Sequence, residues 1–211
     1  MANIYKKATP ALFERVMSDI QDGLSANFAW LTNCFGKAER VQRIVNNNRY
    51  YEPTWYIGKN DYITLTPSQH LGNYSFFVLS EPQETYFEVW GSTRVKAPFS
   101  LIIWFDMRKI DSNARNIEAV KENLLKCLNG VIRPANGHYK VAKIYERAEN
   151  VWQGFTLDET DNQFMMSPFC ALRFSGEMEV ATTCTPNVND AGNEPEGNEP
   201  EDNNQNSNDN E

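Results

Sequence analysis

The alternation of apolar and polar residues near the start of the chain predicts a long amphipathic helix over residues 10–30. Apolar side chains recur every three or four positions, at Leu12, Phe13, Val16, Met17, Ile20, Leu24 and Phe28. This spacing places them on one face of a helix, and the opposite face is polar. Thr9 is expected to cap the helix and Pro10 to occupy its first turn. Such a helix is expected to lie on a sheet.

Residues 38–107 are rich in aromatic side chains and in turn signals, which is typical of β-structure. Turns are expected where Asn, Gly and Asp cluster, at 46–48, 58–61 and 72–73. Between them the pattern predicts strands at 40–45, 49–57, 62–66, 75–80, 86–90 and 99–107. The last strand contains an unbroken apolar run, 101–105. Such a run is typical of a strand that is covered on both faces and central in its sheet.

A second helix is predicted over residues 113–129. Four apolar residues share one of its faces: Ile117, Val120, Leu124 and Leu128. Glu122 and Lys126 form an i,i+4 pair, and Asn129-Gly130 is expected to end the helix. The expected N-terminal cap is Asp111, Ser112 or Asn113.

The rest of the body offers one ambiguous segment and one clear strand. Residues 141–152 fit a helical period, but a strand at 139–146 remains an alternative. Over 171–180 apolar and polar residues alternate strictly, which predicts a strand in an antiparallel setting or at a sheet edge. The order of elements indicates an α+β fold. It comprises an N-terminal helix, an aromatic-rich and mostly antiparallel sheet, one or two further helices packed on it and a C-terminal strand.

Charge divides the 211-residue chain into two parts. The segment 185–211 holds eight acidic residues and no Lys or Arg; removing those eight from the 28 acids of the chain leaves 20, against 20 bases. We therefore expect one electroneutral domain over 1–184 and a disordered acidic tail over 185–211. The tail repeats Gly-Asn-Glu-Pro-Glu at 192–196 and 197–201. It is expected either to aid solubility, to dock on a basic partner, or to have no role.

Targeting and redox signals indicate a protein of the cytoplasm. The first residues carry no apolar signal region, so no secretory signal is expected. The charge-free stretch 62–80 contains Pro, His, Gly and Asn and indicates strand–loop–strand rather than a membrane span. The four cysteines, Cys34, Cys127, Cys170 and Cys184, are widely spaced and are expected to be free thiols.

The search for chemistry yields no catalytic residue, metal site or cofactor. The strings typical of hydrolases, phosphate loops and dinucleotide folds are absent. His70 and His138 are expected in solvated loops. The acidic cluster Asp158, Glu159 and Asp161 is expected to be a turn or helix start rather than a calcium loop. Glu88 and Asp106 would need to meet for carboxylate chemistry, and Asp106 is instead expected to be exposed and paired with Arg108.

One segment combines positive charge with aromatic rings and is the candidate interaction surface. It consists of Arg40, Arg43, Arg49, Tyr50, Tyr51 and Trp55. Stacking rings beside cations suit single-stranded nucleic acid. The competing interpretation is an ordinary aromatic strand pair with solvated arginines, and the neutral body makes nucleic acid the less favoured partner.

The order of elements and the wording of the C-terminal half resemble small virion-assembly proteins of tailed phages and prophages, of the neck or tail-terminator type. The resemblance rests on the helix at 10–30, the β-meander, the strand at 100–106, the helix at 113–129, and a closing segment with Asn150, Gly154-Phe155, Leu157-Asp158, Pro168 and Arg173-Phe174-x-Gly176-Glu177.

This resemblance implies a non-enzymatic protein that forms homo-oligomeric rings, contacts other virion proteins, and moves from the bacterial cytoplasm into the particle. Rings require heterologous contacts between two different surfaces. Two other classes stay open: an intracellular adaptor domain that binds protein or nucleic acid through the aromatic sheet face, and an enzyme with scattered catalytic residues.

Overall fold

The computed structural model describes residues 2–87, 92–110, 116–157 and 162–183. The helices in this part of the chain are α1 (Phe13–Asn27), α2 (Ile117–Lys126) and α3 (Ala148–Val151). The strands are β1 (Asn3–Tyr5), β2 (Asn33–Lys37), β3 (Glu39–Val45), β4 (Asn48–Gly58), β5 (Asp61–Thr64), β6 (Tyr74–Leu79), β7 (Glu84–Phe87), β8 (Ser92–Asp106), β9 (Gly137–Tyr145) and β10 (Phe169–Thr183). The predicted tail lies outside the described residues.

Two sheets organise these strands. The larger has the order β1-β2-β6-β8-β10-β9, with β7 paired to the outer part of β8, and the smaller has the order β3-β4-β5. The pairs β1–β2 and β2–β6 are parallel and the other pairs are antiparallel. The predicted α+β class with a mostly antiparallel sheet is therefore confirmed.

Strand β8 occupies the middle of the large sheet, as its apolar run predicted. Because successive side chains point to opposite faces, the run supplies two layers at once. Leu101, Ile103 and Phe105 enter the core on one face, and Ile102 and Trp104 enter the core on the other. Burial on both faces explains why the run contains no polar residue.

Helices α1 and α2 cover the first of these faces. Within α1 the predicted stripe is buried, with Val16, Met17, Ile20 and Leu24 at or below 1 % exposure, but Leu12, which precedes the helix, is 39 % exposed. The expected cap of α1 is wrong, because the helix begins at Phe13 after Leu12, whose φ of 46° interrupts the helical path from Pro10.

The N-terminal cap of α2 also differs from the prediction. Asn116 Oδ1 accepts a hydrogen bond from the Ala119 N–H at 3.3 Å. The expected candidates at 111–113 lie outside the described residues. The helix then continues into a π turn, Cys127–Val131. The Glu122–Lys126 ion pair, at 2.6 Å, is confirmed.

An aromatic layer fills the second face of the large sheet. Trp104 stacks on Phe169 with ring centroids 5.2 Å apart, and Tyr74 and Phe76 continue the layer. Helix α3 covers this layer through Trp152, which is 2 % exposed. Aromatic rings concentrated between Tyr50 and Phe105 in sequence therefore meet rings from the C-terminal third.

The ambiguous segment resolves in favour of the strand alternative. Residues 137–145 form β9 and only the four residues of α3 are helical. The predicted strand at 171–180 is confirmed within β10, with Leu172, Phe174, Met178 and Val180 buried. It lies between β8 and β9 and not at an edge. Strands β1 and β2 were not predicted.

Candidate interaction surface

The small sheet β3-β4-β5, residues 39–64, is the element that carries the predicted interaction surface, and we call it the arm. All residues of β3, and all residues of β4 except 53–55, are exposed or half-buried. Its two turns contain residues with positive φ at Asn46, Asn47, Lys59 and Asn60, where the Asn and Gly clusters predicted turns.

The register of the arm divides the six predicted residues between its two faces. Arg43 lies directly opposite Tyr50, and both are on one face. The alternation along β3 and β4 places Arg40, Arg49, Tyr51 and Trp55 on the other face. The structure therefore does not bring the six residues together as one surface.

Local contacts already engage several of these side chains. Arg43 Nη2 lies 2.8 Å from Glu52 Oε1, and the Arg40 guanidinium lies 3.9 Å from the centre of the Tyr51 ring. Arg49 is exposed and makes no ion pair or hydrogen bond through its side chain within the described residues. Bases of single-stranded nucleic acid stack on exposed aromatic rings. One face of the Tyr51 ring is already covered by the Arg40 guanidinium.

Trp55 is not part of an exposed surface, because it anchors the arm in the body. It is 7 % exposed and its ring centroid lies 6.4 Å from that of Phe35. The ring also lies against Gly36, where an added Cβ would come within 2.9 Å of it. A second anchor joins β4 to Thr156, whose N–H donates to the Tyr51 carbonyl at 2.7 Å.

The arm instead exposes apolar residues that the sequence analysis did not single out. Four of the nine large apolar side chains exposed in the described part lie on it: Ile44 (64 %), Ile57 (50 %), Tyr56 (44 %) and Tyr62 (44 %). The rings of Tyr56 and Tyr62 are 5.1 Å apart. In the sequence, apolar residues occupy both odd and even positions of β3 and β4. A strand with one buried face has apolar residues at alternate positions only.

The candidates for acid–base or metal chemistry are separate from one another. His70 is exposed on a 3₁₀ turn, and His138 lies on β9 rather than in a loop, with Nε2 3.2 Å from Glu179 Oε2. Within the described ranges, no three His, Cys, Asp or Glu residues are grouped as metal ligands. Glu88 and the acidic cluster Asp158, Glu159 and Asp161 lie outside those ranges.

Asp106 is buried, which corrects the expectation that it is exposed. Its side chain is 8 % exposed and pairs with Arg108, as predicted, at 2.8 Å between Oδ2 and Nη2. Hydrogen bonds from the Arg108 guanidinium lower the pKa of the Asp106 carboxyl. The carboxylate is therefore held ionised and already engaged, which does not suit a general acid.

The described cysteines are free thiols, as expected. Burial raises the pKa of Cys34 to about 11 and also raises the pKa of Cys127 and of Cys170. At neutral pH these thiols carry their protons, so they lack the thiolate that nucleophilic chemistry requires. Cys184 lies outside the described residues.

Comparison with known proteins finds no family whose sequence model matches this chain and no curated protein with significant sequence similarity. In the part of the chain that the structure describes, no helix has the length and apolar content needed to cross a membrane.

Proposed function

We propose that this chain is a non-enzymatic assembly protein of a tailed-phage or prophage particle, of the neck or tail-terminator type, and that it works as a homo-oligomeric ring. The observation that carries the proposal is the arm, which extends four large apolar side chains into solvent. The register places Ile44 on the opposite face of the arm from Tyr56 and Tyr62. Large apolar side chains exposed on both faces of one small sheet are typical of protein contacts. The particle type follows from the sequence resemblance.

We assign a second copy of this chain as the partner that binds the arm. The arm carries charges of both signs, with Arg40, Arg49 and Lys59 near Glu39 and Asp61. Residues 1–184 contain 20 acidic and 20 basic residues, so the bodies of two copies do not repel one another at long range. Among the described residues, the outer edges of β3 and β5 pair with no other strand, and such edges can pair with another chain.

A ring closes when the arm of one copy contacts a different surface of the next copy. The test is light scattering coupled to size exclusion, on the full chain at tens of micromolar. We expect an oligomer larger than a dimer for the natural chain. Replacing Ile44→Glu together with Tyr62→Glu should shift it to monomer, because charged side chains on the arm would have to be desolvated in the contact.

A matched control is Met166→Glu, since Met166 is as exposed as Ile44, at 64 %, but lies away from the arm. This variant should keep the oligomer. A natural chain that is monomeric at these concentrations would contradict the ring, and an oligomer that survives both arm substitutions would contradict the role of the arm.

The particle itself is tested separately. The chain should co-sediment with particles produced by the genome that encodes it, and mass spectrometry should find it there in multiple copies. Neighbouring genes should encode portal, capsid or tail-tube proteins. A chain that oligomerises but never enters a particle would leave the ring in place and overturn the assignment to a virion.

A second candidate is an intracellular adaptor domain that binds protein or nucleic acid through the arm. It is favoured by one observation, the exposed Arg49 side chain that makes no ion pair within the described residues. Salt-dependent binding of an oligonucleotide, lost when Arg40, Arg43 and Arg49 are replaced by Gln, would support it over the ring.

A further inference from the structure

The sheet face that carries the aromatic layer continues beyond it as an open cleft of about 380 Å³ between β8, β10 and β9. Ser100 and Ser175 are opposite one another in the register, and their Oγ atoms share a hydrogen bond of 2.8 Å. Arg173, Lys143, Tyr145 and Gln153 also line the cleft. This cleft lies outside the arm, and a ligand could bind there whether or not the chain forms a ring.

Arg173 is a half-buried cation whose partners are all neutral. Its Nε donates to Ser100 Oγ at 2.9 Å and to Ser175 Oγ at 3.3 Å. Its Nη1 donates to the carbonyl oxygens of Asn150 at 3.3 Å and Gln153 at 3.4 Å. Within the described ranges its Nη2 makes no hydrogen bond, and no carboxylate forms an ion pair with the guanidinium. Its charge is partly desolvated without a counter-ion, which is unfavourable.

Two lysines on the edge strand β9 add to this charge because of a β-bulge. Lys143 is opposite Ser175 and Lys140 is opposite Glu177, with one extra residue of β9 between the two pairs. The bulge therefore turns both lysines to the same side of the sheet as Arg173. Gly176 permits it, since a Cβ there would lie 1.8 Å from the Lys140 carbonyl oxygen. Both lysines are exposed and form no ion pair within the described part of the chain.

Two carboxylates on this face, Glu177 and Glu179, form ion pairs, and Glu177 also lines the cleft. Glu177 Oε2 lies 2.9 Å from Lys96 Nζ. Glu179 lies 2.8 Å from Arg94 and 3.2 Å from His138. Three cations on this side of the sheet, Arg173, Lys143 and Lys140, form no ion pair among the described residues, and the exposed carboxylates of Glu84 and Glu149 on the same side form none either. A ligand that fits the three cations presents several carboxylates along an extended chain.

We propose that the cleft binds the acidic segment 190–202 of the chain's own C-terminus. This segment has six carboxylates and no base, at Asp190, Glu194, Glu196, Glu199, Glu201 and Asp202. The two pentapeptide repeats within it place carboxylates two residues apart, twice. The contact would cover Arg173, and any other acidic chain would have to displace the tail to reach it.

The length of chain allows this return. Strand β10 ends at Thr183, eight residues beyond Ser175, so the cleft lies roughly 27 Å back along the strand. Glu194 is eleven residues beyond Thr183 and can reach roughly 36 Å when extended. The repeats can therefore reach the cleft without displacing β10.

The test is zero-length carbodiimide cross-linking of the full chain, with the linked peptides identified by mass spectrometry. Lys140 and Lys143 should link to the segment 194–201 at least fivefold more than Lys59 and Lys109, which are exposed elsewhere. The preference should fall in 0.5 M salt, because exposed charges are screened. Mixing isotopically light and heavy chains should give links within one chain.

A second measurement separates this contact from a purely structural role of Arg173. The chain with Glu194, Glu196, Glu199 and Glu201 all replaced by Gln leaves the body unchanged, and its Arg173 Nε–H resonance should move relative to the natural chain. Three results would each overturn the proposal. These are cross-links spread over all exposed lysines, cross-links only between different chains, and an Arg173 resonance that stays unchanged when the four glutamates are replaced.

Discussion

Asp106 shows how a charge is accommodated at the end of an apolar strand. Its carboxylate accepts hydrogen bonds from the Arg108 backbone N–H at 3.0 Å and from the Arg108 Nη2 at 2.8 Å. The pairing was predictable because the two residues are two positions apart. The burial was not, because it depends on Phe169, which lies opposite Asp106 on β10 and whose ring lies 5.4 Å from the Arg108 guanidinium.

Asp106→Asn should make the protein less dependent on pH. Since Arg108 lowers the folded-state pKa of Asp106, the carboxylate stabilises the fold above its unfolded pKa of about 4. That contribution is lost as the pH falls through the folded-state pKa. We expect Asp106→Asn to reduce the free energy of unfolding by about 1 kcal/mol at pH 7 and to have little effect near pH 2. Thermal melts across this range measure it.

The exposed Glu149, for which the structure shows no side-chain partner among the described residues, supplies the control as Glu149→Gln. This control should leave the pH dependence as it is in the natural chain. An equal loss of stability for Asp106→Asn at pH 7 and pH 2 would instead mean that the site contributes packing rather than charge.

Gln21 is a second residue whose role needs the tertiary structure. It lies on α1 and is 1 % exposed. Its Nε2 donates to the carbonyl oxygens of Tyr5 at 3.0 Å and Cys34 at 2.9 Å, which joins the helix to β1 and β2. The pattern of α1 identified its apolar stripe but could not show that a polar residue beside it would be buried, because the carbonyls that it satisfies lie in other elements.

Among the elements, the arm is the one that depends on few contacts with the rest. Trp55 packs beside Phe35 and Gly36, and Tyr51 exchanges hydrogen bonds with Thr156. Beyond these anchors the strands of the arm pair mainly with one another. A three-stranded sheet held to the body mainly through the middle of its central strand can open locally while the large sheet stays folded.

Trp55→Ala should therefore loosen the arm more than the body. Removing a buried aromatic ring costs about 3–5 kcal/mol in well-packed sites, and here the loss falls on the anchor of one element. Amide hydrogen exchange should increase across β3, β4 and β5, while β8 and β10 change much less. Trp55→Phe, which keeps a ring beside Phe35, should give a smaller effect. Uniform acceleration over both sheets would show that the arm is not an independent unit.

At the scale of the whole molecule, charge is distributed very unevenly. The net charge of −8 belongs to residues 185–211, while 1–184 holds equal numbers of acidic and basic residues. A carboxylate from the tail that reaches the basic cleft would meet exposed lysines, and exposed ion pairs contribute about 0–1 kcal/mol each. The tail is therefore not expected to decide the stability of the fold.

Deleting 185–211 should leave cooperative melting intact and should raise the isoelectric point from about 4.9 to near neutral. The melting temperature is expected to change by only a few degrees, which calorimetry and isoelectric focusing can measure together. The chain with its tail acids replaced by amides is the matched control, since it removes the charge and keeps the length. A large fall in melting temperature would place the domain boundary beyond 184.

The elements were largely predictable, and their assembly was much less so. Helix α1, the central strand β8 and the alternating strand β10 could each be predicted from the spacing of their apolar residues. Strand β2 was missed because its five residues, Asn33–Lys37, are covered on both faces and show no alternation. The candidate surface was predicted as one set, but the register of β3 and β4 separates its members, since adjacent residues of a strand face opposite ways.

The α+β class, the two layers supplied by β8, and the division between neutral and acidic parts of the chain can be predicted from the sequence alone. These follow from local period and from charge counts, which need no long-range contact. The three-dimensional structure is needed to show which apolar residues stay exposed on the arm, and that Arg173, Lys143 and Lys140 lie on one side of the sheet. Those outcomes depend on strand register, on a bulge and on residues distant along the chain, and a one-residue shift in any of them would turn the side chains to the other face.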